Sequence, residues 1–196
     1  MSALYDRLQE LQSTLKLLTA DLVHLRLLLG ERSIAVEHTP EEDAFRRSYV
    51  RAFYALVEAL VEQQARLLVA LDEGDFIVLG PGVAAVLSDT SYEVRRNGTV
   101  SARPLRLSLE NKIRAVYRAA HDSVDSGIEV GFGEEGWEAF RSALQLLHGL
   151  THPKSPHDCH VEEEDLDVVE RAEGWYQKAH NGLTETLRLH RGRAHW

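Results

Sequence analysis

Leu4, Leu8, Leu11, Leu15, Leu18, Leu22, Leu25 and Leu29 alternate spacings of four and three. That is a 3.5-residue repeat, and it predicts a helix over 3–29 with one apolar seam lying along a neighbour. Leu17, Val23, Leu27 and Leu28 widen the stripe toward the C-terminal half. Gly30 suits the helix end. The seam fits either an intramolecular bundle helix or a dimerising coiled coil. A second long helix begins at Thr39-Pro40-Glu41-Glu42, with Thr39 as cap, Pro40 in the first helical position and Glu42 reaching back. Phe45, Tyr49, Phe53, Leu56, Leu60, Leu67 and Leu71 then recur at helical spacing until Gly74.

The pattern changes over 75–104. Pro81 and Gly82 open a short helix, Val83 to Leu87, which Ser88-Asp89 breaks. Two alternating runs, 92–96 and 99–103, flank Asn97-Gly98, which predicts a small hairpin with a type I′ turn. Two strands alone are barely stable, so the hairpin is an appendage on a helical domain. Further helices are predicted from Ser108 to Asp122, from Glu134 to Thr151, and from the acidic run Glu162–Asp165 onward. Pro153 ends the second of these. The stretch 125–133 and the segment Lys154–Cys159 read as loops, and Arg188–Trp196 as a frayed tail. The fold class is therefore all-α: a bundle of about five helices with a small β-hairpin insertion. Residues 1–30 form a leucine-seam helix, part of the bundle or a dimer contact, and 39–190 the main domain.

Composition narrows the function classes. The chain has 196 residues and a formal net charge of −9, which argues against a large non-specific DNA surface. No helix presents the Arg/Lys face of a groove reader, so no DNA partner is expected. No apolar run approaches bilayer length, the start MSALYDRLQE is no signal peptide, and the lone Cys159 makes no internal disulfide. These features predict a cytoplasmic protein without a membrane partner. There is no Gly-rich phosphate loop, since Gly131-Phe132-Gly133 and Gly80-Pro81-Gly82 lack both the spacing and a preceding strand.

The helix over 134–151 carries the candidate chemistry. On a wheel of 100° per residue, Trp137, Phe140, Leu144 and Leu147 share an arc of about 80°. Arg141, Gln145, His148 and His152 form a second stripe beside it. An imidazole there is suited to take the proton from an RNA 2′-hydroxyl, and a guanidinium to steady the charge growing on phosphate. That cleavage needs no metal, so no cofactor is expected. The same stripe also reads as a plain boundary where polar tips reach water past the core. His148 and His152 at i, i+4, with His157, Cys159 and His160 after them, form a rival zinc reading, although their spacing matches no standard zinc pattern.

Several ordered segments carry a resemblance: Gly136-Trp137, Phe140, Leu150-Thr151-His152-Pro153-Lys154-Ser155, Glu163-Glu164-Asp165-Leu166 and Trp175, together with 46–58 in the second helix and the Asn97-Gly98 hairpin between. Over about residues 40–180 the chain resembles a bacterial group of HEPN-domain proteins. The resemblance implies a small helical bundle, commonly a homodimer. It also implies metal-independent RNase activity of the kind found in toxin–antitoxin and antiphage systems, with RNA and an antitoxin or other protein as partners. The family signature is an Arg, four to six residues, then a His, with two sites meeting across the dimer. In this group the segment before the His reads like Arg-x-Arg-Leu-Thr-His, and this chain has Leu147 and Gly149 at the two arginine positions. His152 carries over directly. Arg141 with His148 satisfies the spacing in another register. Arg51 and Glu58 match polar positions of the family's second helix and would orient the motif His; otherwise they are an exposed pair. Three readings stay open: an endoribonuclease with His152 or His148 as base and Arg141 on the phosphate, an inactive domain binding RNA or a partner protein, and a metal-binding bundle.

Overall fold

The computed structural model describes residues 2–32, 39–80, 82–124 and 131–193; for 2–11, 31–32 and 189–193 it describes the backbone alone. Among these residues the chain is mainly helical: α1 (Ser2–Arg32), α2 (Pro40–Glu73), α3 (Val83–Leu87), α4 (Leu109–Val124), α5 (Glu135–Thr151) and α6 (Glu163–Arg193). One antiparallel hairpin, β1 (Thr90–Val94) and β2 (Val100–Pro104), sits between α3 and α4. The all-α bundle with a hairpin insertion is what the patterning predicts. Pro81, most of the expected 125–133 loop and the end of the C-terminal tail lie outside the described residues, as do the side chains of Leu4, Leu8 and Leu11.

The chain divides into two compact units, one of Met1–Leu60 with Gly131–Lys178, the other of Val61–Val130 with Ala179–Trp196. The first has an aromatic core. Tyr49, Phe53 and Tyr54 from α2, Trp137 and Phe140 from α5, and Trp175 and Tyr176 from α6 are all buried. Trp137 and Phe140 stack at 5.5 Å, and Trp175 lies 5.0 Å from Trp137. This density needs a close helix approach: a Cβ on Gly136 would stand 2.6 Å from the Trp175 Cβ. Glycine there lets α5 meet α6 backbone to side chain. The buried Tyr54 hydroxyl donates to the Phe140 carbonyl at 2.7 Å, so the ring is buried with its polar tip satisfied.

Helix α1 joins this unit through its predicted seam. Leu22 is buried and Leu15, Leu18, Leu25 and Leu29 are half-buried, whereas Leu17, Val23 and Leu27 face outward. Arg26 adds ion pairs to Glu170 (3.5 Å) and Glu173 (3.6 Å) of α6. On α2 the fully buried line runs through Val50, Val57, Val61, Ala65 and Leu68, while Leu56, Leu60, Leu67 and Leu71 are half-buried. The leucines named from spacing are the flanks of the stripe, since two lines at 3.6-residue spacing lie side by side and pattern alone does not say which points inward.

In the second unit Ile77, Leu79, Leu87, Ile113, Val116, Tyr117, Leu183 and Leu187 are buried. The Gln64 amide lies 2.9 Å from His180 Nδ1. Lys112 of α4 reaches Asp89 (2.5 Å) and Glu62 (2.6 Å), and the Leu105 amide donates to the Asp89 carbonyl at 2.7 Å, closing the base of the hairpin. The hairpin turn differs from expectation. A type I′ turn needs positive φ at both Asn97 and Gly98, but only Gly98 has it, at 78°. The Gly98 amide donates to the Arg95 carbonyl and the Arg95 amide to the Thr99 carbonyl, both at 2.8 Å. That is a type I turn over 95–98 closed by a glycine bulge. Asn97 Oδ1 accepts from the Thr99 amide (3.1 Å) and hydroxyl (2.7 Å), which steadies this turn.

Candidate functional site

Helix α5 starts from Glu134 in extended backbone, after Gly131 at φ 60°, with Glu135 and Glu138 in its first turn where the helix dipole favours carboxylates. It stops at His152, whose amide still donates to the His148 carbonyl at 3.0 Å. Pro153 prevents continuation. The segment 154–159, expected as a loop, is ordered by one carboxylate. Asp158 Oδ2 accepts from the amides of Lys154 (2.7 Å) and Ser155 (2.9 Å), and Pro156–Cys159 forms a single 3-10 turn. Those backbone hydrogen bonds hold the Asp158 carboxyl below the usual carboxylate range.

Three arginines of α2 stitch this region down. Arg46 donates to the Val161 carbonyl at 3.2 Å, Arg47 to the Cys159 carbonyl at 3.1 Å and Arg51 to the Leu150 carbonyl at 2.9 Å. Arg46 is 4 % exposed and also pairs with Glu42 and Glu163, each at 2.8 Å. Arg46 and Arg47 are contacts the sequence reading missed. The available signal was Glu42 one helical turn before Arg46, an i, i+4 pair. Thr39 does cap α2, accepting from the Glu42 amide at 3.2 Å, while the Glu42 carboxylate takes Arg46.

Of the candidate stripe, Gln145 and His148 are exposed and Arg141 is half-buried on α5; His152, also exposed, is the residue just past the helix, with non-helical backbone (φ −129°, ψ 60°), so the wheel does not place it. Arg141 Nη1 lies 3.3 Å from Glu138 Oε2, toward the start of α5. Helical side chains lean that way, because each Cα–Cβ bond tilts to the N-terminus. Eleven residues separate Arg141 from His152, about 16 Å of axial rise, and seven separate it from His148, about 10 Å. Within one chain the guanidinium is thus held at Glu138, about two turns from His148 and three from His152 along α5. The fold does bring Arg51 to the end of α5, through the Leu150 carbonyl two residues before His152. Glu58 is exposed two turns farther along α2.

An open hollow of about 450 Å³ lies between α5, the 3-10 turn and the start of α6. Gln145, Gly149, His157, His160, Glu162 and Glu164 line it, so carboxylates outnumber the imidazoles once Asp158 and Asp165 are included. Such a lining repels phosphate. Among the described residues no three His, Cys, Asp or Glu side chains converge on a point that would hold a metal ion, so His148, His152, His157, Cys159 and His160 are not brought together as a zinc site. Among the same residues no helix is long and apolar enough to cross a membrane.

No family model, curated protein or solved structure matches the chain.

Proposed function

We propose that this chain is a HEPN-like, RNA-directed helical protein of the type used in bacterial conflict or stress systems, acting in the binding form of that fold. The observation that carries the reading is the placement of the two arginines. Arg51 stands at the His152 end of α5, whereas Arg141 is turned toward Glu138. A cleavage centre needs base and guanidinium on one phosphate, within hydrogen-bond reach of the reacting oxygens. At the register of the family arginines the chain carries Leu147 and Gly149, which offer no cation. His152 with Arg51 then contacts RNA or a protein partner without cutting.

The test is incubation of total cellular RNA with purified protein in EDTA, beside gel-shift binding of the same RNA. Wild type is expected to bind and not cleave. His152→Ala and Arg51→Ala weaken binding, and Arg141→Ala does not. Cleavage by wild type that is lost in both His152→Ala and Arg141→Ala would refute the reading and make the protein an RNase whose Arg acts from another register, across a dimer.

A further inference from the structure

The hairpin has its two faces the wrong way round for a structural element. Register pairs Thr90 with Pro104, Tyr92 with Ala102 and Val94 with Val100, so these six residues share one face. That face is in solvent: Tyr92 is 66 %, Val94 69 % and Val100 64 % exposed. The opposite face carries Ser91, Glu93 and Ser101, which are half-buried, and Arg103, paired with Glu93. A hairpin kept only for stability would bury its valines, since removing apolar side chains from water is the main stabilising contribution. Here the fastening is polar and at the base, through Lys112, Asp89 and the Leu105 amide. The apolar face is left for something else.

Charge says what. Residues 90–107 hold Arg95, Arg96, Arg103 and Arg106 against Glu93 alone, a net of +3 in a chain of net −9. The rest of the chain is acidic on balance, so the hairpin is a local positive patch; Arg96 is exposed at its tip, and Arg95, also exposed, donates through Nε to Ser101 Oγ at 3.2 Å. A second copy is a poor occupant: two such hairpins repel, and the face measures about 17 Å by 10 Å from strand spacings. That is far below the roughly 800 Å² per partner of a stable dimer. It does match two or three unstacked bases. An exposed aromatic ring on a flat face, beside guanidiniums, is the chemistry that holds single strands by stacking and phosphate contact.

We propose that the β1–β2 hairpin is a single-stranded RNA contact, with Tyr92 stacking a base over Val94 and Val100 and with Arg95 and Arg96 on the backbone phosphates. It rests on the RNA-directed reading above and names where the strand lies. The test is fluorescence anisotropy of the full chain with a labelled single-stranded RNA 12-mer and with the same sequence as a duplex, at 50 mM and 200 mM salt. Wild type is expected to prefer the single strand. Tyr92→Ser weakens it about tenfold, and Arg95→Glu/Arg96→Glu weakens it at least as much and flattens the salt dependence. Arg171→Glu, an exposed arginine on α6, leaves it unchanged. All these side chains are exposed, and circular dichroism verifies that each variant is folded. Wild-type affinity in the hairpin variants, with binding lost in His152→Ala and Arg51→Ala, overturns the hairpin contact and leaves the RNA-directed reading standing. No RNA binding by wild type overturns both. Unchanged RNA affinity with loss of self-association in Tyr92→Ser, read by light scattering, also overturns the proposal and assigns the face to a second copy.

Discussion

Two glycines on one helix should respond in opposite senses to the same substitution. Gly149 lies in the last turn of α5, and a Cβ added there meets nothing nearer than the Asp158 carbonyl oxygen at 4.0 Å. Alanine at 149 therefore keeps its helix-propensity advantage, roughly 0.5–1 kcal/mol. Gly136 lies in the first turn, and the same atom would stand 2.6 Å from Trp175 Cβ, 2.8 Å from Cδ1 and 2.9 Å from Cγ. The Trp175 Cβ is fixed by the α6 backbone, so no rotamer relieves the clash and the helices must separate. Overpacking of that kind costs about 1–3 kcal/mol, which exceeds the propensity gain. The two variants should differ by about 2 kcal/mol, close to 1 M in urea midpoint for an m-value near 2 kcal/mol/M. Urea titrations followed in parallel by tryptophan fluorescence and far-ultraviolet circular dichroism measure this. If Gly136→Ala raised the midpoint as far as Gly149→Ala, the close approach of α5 to Trp175 would be wrong.

Other consequences are as direct. Arg46→Met strips the buried Glu42 of its cation and should cost about 3–5 kcal/mol, with Glu42→Gln added to it recovering more than half; equal stability of wild type and Arg46→Met in the same titrations would refute the buried pair. Burial holds the His180 imidazole below its ordinary pKa. The unfolded chain thus binds that proton more readily, and stability present at neutral pH is lost as pH falls below about 6.5. His180→Gln should remove part of the stability difference between pH 7.5 and 5.5, and an undiminished difference would count against the buried imidazole. Leu17→Glu with Leu27→Glu, on the outward face of α1, should leave the fold intact by circular dichroism, whereas Leu22→Glu should unfold it.

Most of the architecture was legible because it follows periodicity. Caps and breakers at Thr39, Gly74, Pro153 and the Glu163 region place helix ends within a few residues. The errors share a cause. Leu56 and Val57 lie side by side on α2, and only the packed neighbours decide that Val57 is the one excluded from water. Asn97-Gly98 marks a turn correctly, but the side-chain bonds of Asn97 to Thr99 select the bulged type over I′. The order within Lys154–Cys159 comes from a carboxylate reaching back to two amides, a pattern that a Pro-rich segment disguises. At the candidate site the wheel placed Arg141, Gln145 and His148 on one edge, whereas His152 falls just past the helix. The direction in which Arg141 leans, and the carbonyls that Arg46, Arg47 and Arg51 hold across 99 to 115 residues of sequence, depend on tertiary contact.

Lys112 gives the molecule an internal chemical reporter. Lys16, Lys154 and Lys178 are exposed amines. Burial presses the Lys112 ammonium toward losing its proton, yet the hydrogen bonds it donates to Asp89 and Glu62 outweigh that and raise its pKa above the ordinary lysine value. An amine in that state is a poor nucleophile toward acylating reagents, because the lone pair is occupied by a proton and the head group by two carboxylates. Acylation at Lys112 is therefore slower than at an exposed amine and speeds up when the Asp89 contact at the base of the hairpin lets go. The rate at that one side chain, set against the three exposed lysines as an internal standard, follows the release of Lys112 from its two carboxylates in the folded protein.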